Sequence, residues 1–304
     1  MLILDSHGRE TPLAIPSGSY EFPALSPDGW RLAVERCVGA RCTVVVFDRD
    51  RQLLSSVVPE PGRFFGPIWS PDGRRLALTS VFRDPPRLVV RAADGSGSVE
   101  SPTPPTDDAE IPTSWSPDGR TIAYTVAYTA DRSDSRLRFT SDIRLASSDG
   151  SSPPRPWMET PHRESGARFS PDGGYLTYVS DESGRSEVYV RQVAGREKIQ
   201  ISSEGGTEPV WTAAGREVLF RQGDRFLAVD LGPGPTLRPG RPRLLFEGRF
   251  DRGGGRLDMD HDWDVSSDGE EIVVMRTARP ADPERELMVV TGWLAGLDQA
   301  HARR

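Results

Sequence analysis

Between residues 258 and 264 the chain reads Asp-Met-Asp-His-Asp-Trp-Asp, four aspartates at alternate positions with a histidine among them. In an extended segment that period places the carboxylates on one side, an oxygen set of the kind that holds a calcium ion. The EF-hand pattern is not reproduced, because its loop glycine and distal glutamate are missing. Asp260, His261 and Asp262, together with His162, are therefore metal-ligand candidates by residue type alone. The plainer alternative is solvated loop carboxylates and ordinary surface histidines, of which the chain has four in all.

A wider set of acids stands at recurring positions. Glu21, Glu110, Glu164, Glu208, Asp260 and Asp262 each precede a repeated turn by four to six residues. If those segments lead into strands lining a common channel, the mouth is acidic and draws a cation, an amine or a basic peptide. Arg63, Arg163 and Arg168 stand close enough in sequence to neutralise several of them. Cys37 and Cys42 flank Val-Gly-Ala-Arg in a predicted hairpin, where a cross-strand disulfide and two separate thiols both fit; a disulfide implies an oxidising compartment. No Gly-x-Ser-x-Gly elbow is present, and Gly95-Ser96-Gly97-Ser98-Val99 fails at its last position.

The turn that orders these residues is Ser-Pro-Asp-Gly, at 26–29, 70–73, 116–119 and 170–173, with altered copies at 212–215 and 266–269. Successive copies start 44, 46, 54, 42 and 54 residues apart. That is the period of a four-stranded propeller blade. Proline presets the turn, aspartate suits its third position, and glycine supplies the left-handed conformation. An apolar residue precedes every copy (Leu25, Trp69, Trp115, Phe169, Trp211, Val265), placed to pack between blades. Alternating apolar residues follow each turn, as in Leu32 and Val34 or Leu76 and Leu78, so a strand leaves it.

Third strands are read at 43–47, 88–90, 142–145, 187–190, 226–229 and 287–290, and fourth strands at 52–54, 198–201 and 243–246; blades two and three offer poor fourth strands. Met1-Leu2-Ile3-Leu4-Asp5 is apolar, while the last repeat lacks a fourth strand, so the N-terminal strand is expected to complete that blade and close the ring. Residues 127–141, 231–262 and 278–286 are longer connections, and about 293–302 a short terminal helix is expected.

Net charge is −7, which disfavours a nucleic-acid groove. Of 38 basic residues only Lys198 is lysine, a bias that points to a GC-rich bacterial genome. No membrane-spanning stretch is present, nor is a secretory signal at Met1. Location follows from the parent chain: extracytoplasmic if it belongs to a longer membrane protein, cytoplasmic otherwise.

The string Trp69-Ser70-Pro71-Asp72-Gly73-Arg74-Arg75-Leu76-Ala77-Leu78 resembles the WD40-like repeat of TolB-type propellers, and the similarity covers nearly the whole chain. Leu244–Phe250, Trp263–Gly269 and Arg285–Leu294 in that order resemble the C-terminal, sensor-like propeller of bacterial serine/threonine kinases. No kinase glycine-rich loop or His-Arg-Asp loop accompanies them, so kinase activity does not carry over. The resemblance implies an all-β, six-bladed propeller of four-stranded antiparallel blades over residues 1–304. It implies a non-catalytic, monomeric module that binds a protein, peptide or small molecule at its channel mouth, without cofactor. The alternatives are a metal-dependent lyase-like propeller enzyme, or the propeller part of a prolyl-oligopeptidase-type peptidase.

Overall fold

A computed structural model of the chain describes residues 3–4, 10–13, 15–16, 18–38, 41–48, 53–57, 64–81, 85–129, 139–212, 214–232, 236–251, 261–266, 269, 271–277 and 285–291. Two N-terminal strands come first, β1 (Ile3–Leu4) and β2 (Glu10–Pro12). Blade one is β3 (Ser19–Leu25), β4 (Arg31–Val38), β5 (Arg41–Asp48) and β6 (Leu53–Ser56). Blade two is β7 (Phe64–Trp69), β8 (Arg75–Ser80) and β9 (Arg87–Ala92). Blade three is β10 (Ala109–Trp115), β11 (Thr121–Thr129), β12 (Phe139–Ser147) and β13 (Arg155–Met158). Blade four is β14 (Glu164–Phe169), β15 (Tyr175–Ser180), β16 (Glu187–Gln192) and β17 (Lys198–Gln200). Blade five is β18 (Thr207–Trp211), β19 (Glu217–Gln222), β20 (Arg225–Asp230) and β21 (Arg243–Glu247). The last three strands are β22 (Trp263–Val265), β23 (Glu271–Thr277) and β24 (Arg285–Thr291).

All pairings between these strands are antiparallel, and the whole is a β-propeller. The expected six uniform four-stranded blades are corrected. Five blades consist of consecutive strands, four of them four-stranded and one three-stranded, and the last repeat lies in a composite five-stranded sheet of order β1-β2-β24-β23-β22. Nor does the N-terminal strand close the ring. Ile3–Leu4 is the outer edge of that sheet, hydrogen-bonded to β2 and not to β24. What joins the first and last sheets is side-chain packing of Val273 and Met275 against Tyr20, Leu32, Val34 and Phe47. Blade three does possess a fourth strand, which the sequence hid because Pro156 sits in it; an outer edge strand tolerates a proline. The predicted terminal helix at 293–302 lies outside the described residues. Among the described residues no helix is long and apolar enough to cross a membrane.

The repeated turn has one geometry throughout. In each copy the glycine N–H donates to the carbonyl of the first residue at 2.8–2.9 Å, and that glycine has φ between 64° and 72°. Ser70 Oγ donates to Asp72 Oδ1 at 2.6 Å and accepts the Arg75 N–H at 2.9 Å, which locks the loop from within. The fifth copy, without proline or aspartate, keeps the backbone bonds of the others. The sulfurs of Cys37 and Cys42 are bonded across β4 and β5, so of the two cysteine alternatives the structure takes the disulfide.

Where the residue before the turn is aromatic, it fastens neighbouring blades. Trp69 is buried among Ala24, Val44 and Val46 of blade one, donates its Nε1–H to Ala24 O at 2.9 Å, and receives the Arg31 guanidinium over its ring at 4.7 Å. Trp211 donates likewise to Arg168 O of blade four at 3.0 Å, and Arg75 lies over Trp115 at 5.0 Å. Trp69→Phe is expected to cost roughly 2 kcal/mol, from an orphaned buried carbonyl and lost packing. In urea unfolding the control Trp30→Phe, at a side chain 59% exposed, should stay within about 0.5 kcal/mol of the parent.

Candidate functional site

Counting back from each turn, the second residue before the serine or threonine forms one layer around the channel: Ala24, Ile68, Ser114, Arg168, Val210 and Asp264. All six line a cavity of 460 Å³, together with Phe22, Phe65, Trp69, Trp115, Trp211 and His261. Pro27, Pro71, Pro117 and Pro171 of the turns also line it, so the cavity lies toward the turn face of the ring. The candidate acids of the strand-entry segments belong to the other end of the inner strands. The cavity walls are largely aromatic and aliphatic with a few converging polar groups, the usual make-up of a small-molecule site.

The inner strands are bent to make this space. Register shifts interrupt β3, β7, β14 and β18 at the same place, where Phe22, Gly66, Gly166 and Glu208 have φ of 55°, 62°, 64° and 54°. Glycine takes that conformation freely, whereas a side chain there costs about 1–2 kcal/mol. Phe22 bears the strain and its ring meets Phe65 at 5.7 Å in the cavity wall.

Two charged side chains enter the layer. Arg168 Nη1 lies 3.7 Å from Asp264 Oδ1, too long for a hydrogen bond. Asp264 Oδ2 accepts the Leu25 N–H at 2.9 Å, tying the composite sheet to blade one. Burial pushes the Asp264 carboxyl up and the Arg168 guanidinium down, while their mutual attraction opposes both shifts.

Among the described residues the predicted acids do not line the cavity. Glu110 is buried and accepts bonds from Thr103 Oγ1 and the Leu88 N–H. Glu164 is buried beside Thr160 and Ser180, whose hydroxyls donate to its Oε1. Glu208 is buried near Arg221 and accepts the N–H of Asp262, itself buried. Glu21 is half-buried opposite Glu35. Only His261 of the predicted set lines the cavity; Asp260 lies outside the described residues. His162 is exposed and stands 3.9 Å from Asp181. Among the described residues His162, His261 and Asp262 do not come within shared ligand reach. The one cluster with suitable spacing, Glu35 with Cys37 and Cys42, has its sulfurs tied up in the disulfide. Sequence reasoning missed the cavity and treated Arg168 only as a neutralising charge. Aligning the repeats on the layer was the available signal, because Arg168 and Asp264 stand where other copies carry small or apolar residues.

No family model and no curated protein matches the chain. Solved structures do. A protein assigned as TolB from Agrobacterium tumefaciens is 19% identical, with 90% of each chain covered and a TM-score of 0.63. TolB from Acinetobacter baumannii is 16% identical over 88% of this chain and 65% of its own, with a TM-score of 0.64. Oligogalacturonate lyase from Vibrio parahaemolyticus is 11% identical over 96% of this chain and 81% of its own, with a TM-score of 0.60. The chain has a TolB-like propeller fold. Binding proteins and enzymes share that fold, and these likenesses lend nothing to a kinase-associated role.

Glu164, outside the cavity, gives the fold a pH signature. Burial, reinforced by Asp142 and Asp181, raises its carboxyl from 4.5 to about 7. The folded state then holds the proton more tightly than the unfolded chain, so its contribution is full below pH 4.5 and is lost as pH rises through about 7. The loss is on the order of 3 kcal/mol. Glu164→Gln should flatten this part of the stability profile and exceed the parent in unfolding free energy above neutral pH; an unchanged slope in denaturant titrations would rule out Glu164 as its source.

Proposed function

We propose that this chain is a non-catalytic binding module that takes its ligand in the channel cavity from the turn face. The observation that carries the reading is the cavity itself, with its aromatic wall and the Arg168 and Asp264 charges converging at one layer. Phe22 supports it: the position is strained for any side chain, two other blades use glycine there, and the ring nonetheless projects into the cavity. A peptide end or a small molecule fits such a volume. A sensor region of a bacterial kinase is one setting for such a module, supported by the motifs between Leu244 and Leu294.

A metal-dependent enzyme needs several ligands converging on the channel. Among the described residues only His261 of that candidate set lines the cavity, which is why binding is the better reading. The test uses an amphiphilic fluorescent probe, the anion 1-anilinonaphthalene-8-sulfonate, on the native protein. One saturable site is expected, abolished in Val265→Trp, which fills the cavity, and weakened about fivefold in Phe22→Gly with little change in stability. Equal probe binding by the parent and both variants would place the ligand elsewhere.

A further inference from the structure

The two polar members of the layer perform a structural duty that Arg168 cannot. Ser114 Oγ accepts the Phe169 N–H of the next blade at 3.0 Å, and Asp264 Oδ2 accepts the Leu25 N–H of the next sheet at 2.9 Å. Each side chain thus accepts the backbone donor that follows the equivalent layer position of its neighbour. Arginine has five donors and no acceptor, so the same place in blade four holds a group that cannot do this. Its backbone is nonetheless firmly set, with Arg168 O accepting Trp211 Nε1–H at 3.0 Å.

Arg221, which is fully buried, gives the contrast. Arg221 donates to Gly223 O at 2.9 Å, Asp251 O at 2.6 Å and Phe250 O at 2.7 Å, so its fork is consumed by the fold. Among the described residues the Arg168 guanidinium makes no hydrogen bond; its Nε is enclosed without a partner, and its nearest charge is Asp264 at 3.7 Å. A planar fork with open donors, at a cavity that Phe22, Phe65 and Trp69 also line, matches one chemical class. That class is a carboxylate carried on an apolar body, bound in bidentate fashion.

We propose that Arg168 is the anchor for the carboxylate of the channel ligand, a molecule whose aromatic or branched body fills the cavity toward the turn face. This rests on the channel reading above and goes beyond it by naming the ligand class. Two sources offer the same chemistry, a free organic acid and the C-terminus of a polypeptide.

The test compares N-acetyl-phenylalanine with its amide on the native protein, following tryptophan fluorescence, since Trp69, Trp115 and Trp211 line the cavity, and displacement of the fluorescent probe. The acid is expected to bind about tenfold more tightly than the amide. Arg168→Met should remove the preference and Arg168→Lys keep part of it. Asp264→Asn, which retains an acceptor for Leu25 but removes the competing charge, should strengthen binding of the acid. The acid and amide comparison on the parent protein holds even if a variant fails to fold. Equal affinities for acid and amide overturn the anchor and leave the channel reading standing. Failure of both to displace the probe overturns the anchor, and the channel reading is then judged by whether Val265→Trp abolishes probe binding. A hexapeptide ending in phenylalanine, with free and amidated C-termini, separates the sources. A free-terminus peptide that outbinds the short acid assigns a polypeptide end; the reverse assigns a small acid.

Discussion

The contact between each pre-turn aromatic and the blade before it governs the rest of this molecule. A four-stranded sheet exposes two apolar faces and cannot bury either alone, so each must be covered by its neighbour. Trp69 and Trp211 do this with an indole ring for the apolar face and an indole N–H for a backbone carbonyl of the preceding inner strand. The same contact fixes how far adjacent inner strands stand apart, and therefore the width of the channel. An apolar cluster fills every gap between neighbouring sheets, including the gap between the last and the first.

Closure by packing has a consequence for the channel. Because Val273 and Met275 share one apolar cluster with Tyr20 and Val34, β22 is drawn beside β3, and Asp264 reaches the Leu25 N–H. That hydrogen bond fixes the carboxylate that faces Arg168. A charge pair in a channel of this kind costs desolvation, and imperfect geometry leaves part of that cost uncompensated. The backbone bend at Phe22 is a second local cost at the same cavity. Both lie where side chains from several blades converge, while the turns and outer strands satisfy the local rules of their sequence.

The acids that looked like a ring show how position and environment part company. Glu110 and Glu164 stand six residues before their turns, Glu21 five and Glu208 four, so they point to different surroundings despite their shared neighbourhood in the repeat. Glu110, Glu164 and Glu208 have been absorbed into hydrogen bonds with neighbouring loops and strands. Alternation in a strand, together with the bend in the inner strands, sends residues one apart to opposite sides.

The sequence by itself determined the repeat, the turn geometry, the strands that flank it and the TolB-like propeller, because these depend on local chemistry: proline and glycine conformations, period-two alternation, and one large apolar residue before each turn. It did not determine how the strands are shared among sheets. Pro156 concealed an outer strand, and the pairing of Glu10–Pro12 rather than Ile3–Leu4 with the last strand depends on partners almost the whole chain length away. Nor did it determine the site, since a cavity is a sum over residues spaced some fifty positions apart and brought to one layer only by closure of the ring. Tertiary structure alone decided that Arg168 faces that cavity with its donors open, because the acceptors that could have consumed them belong to other blades.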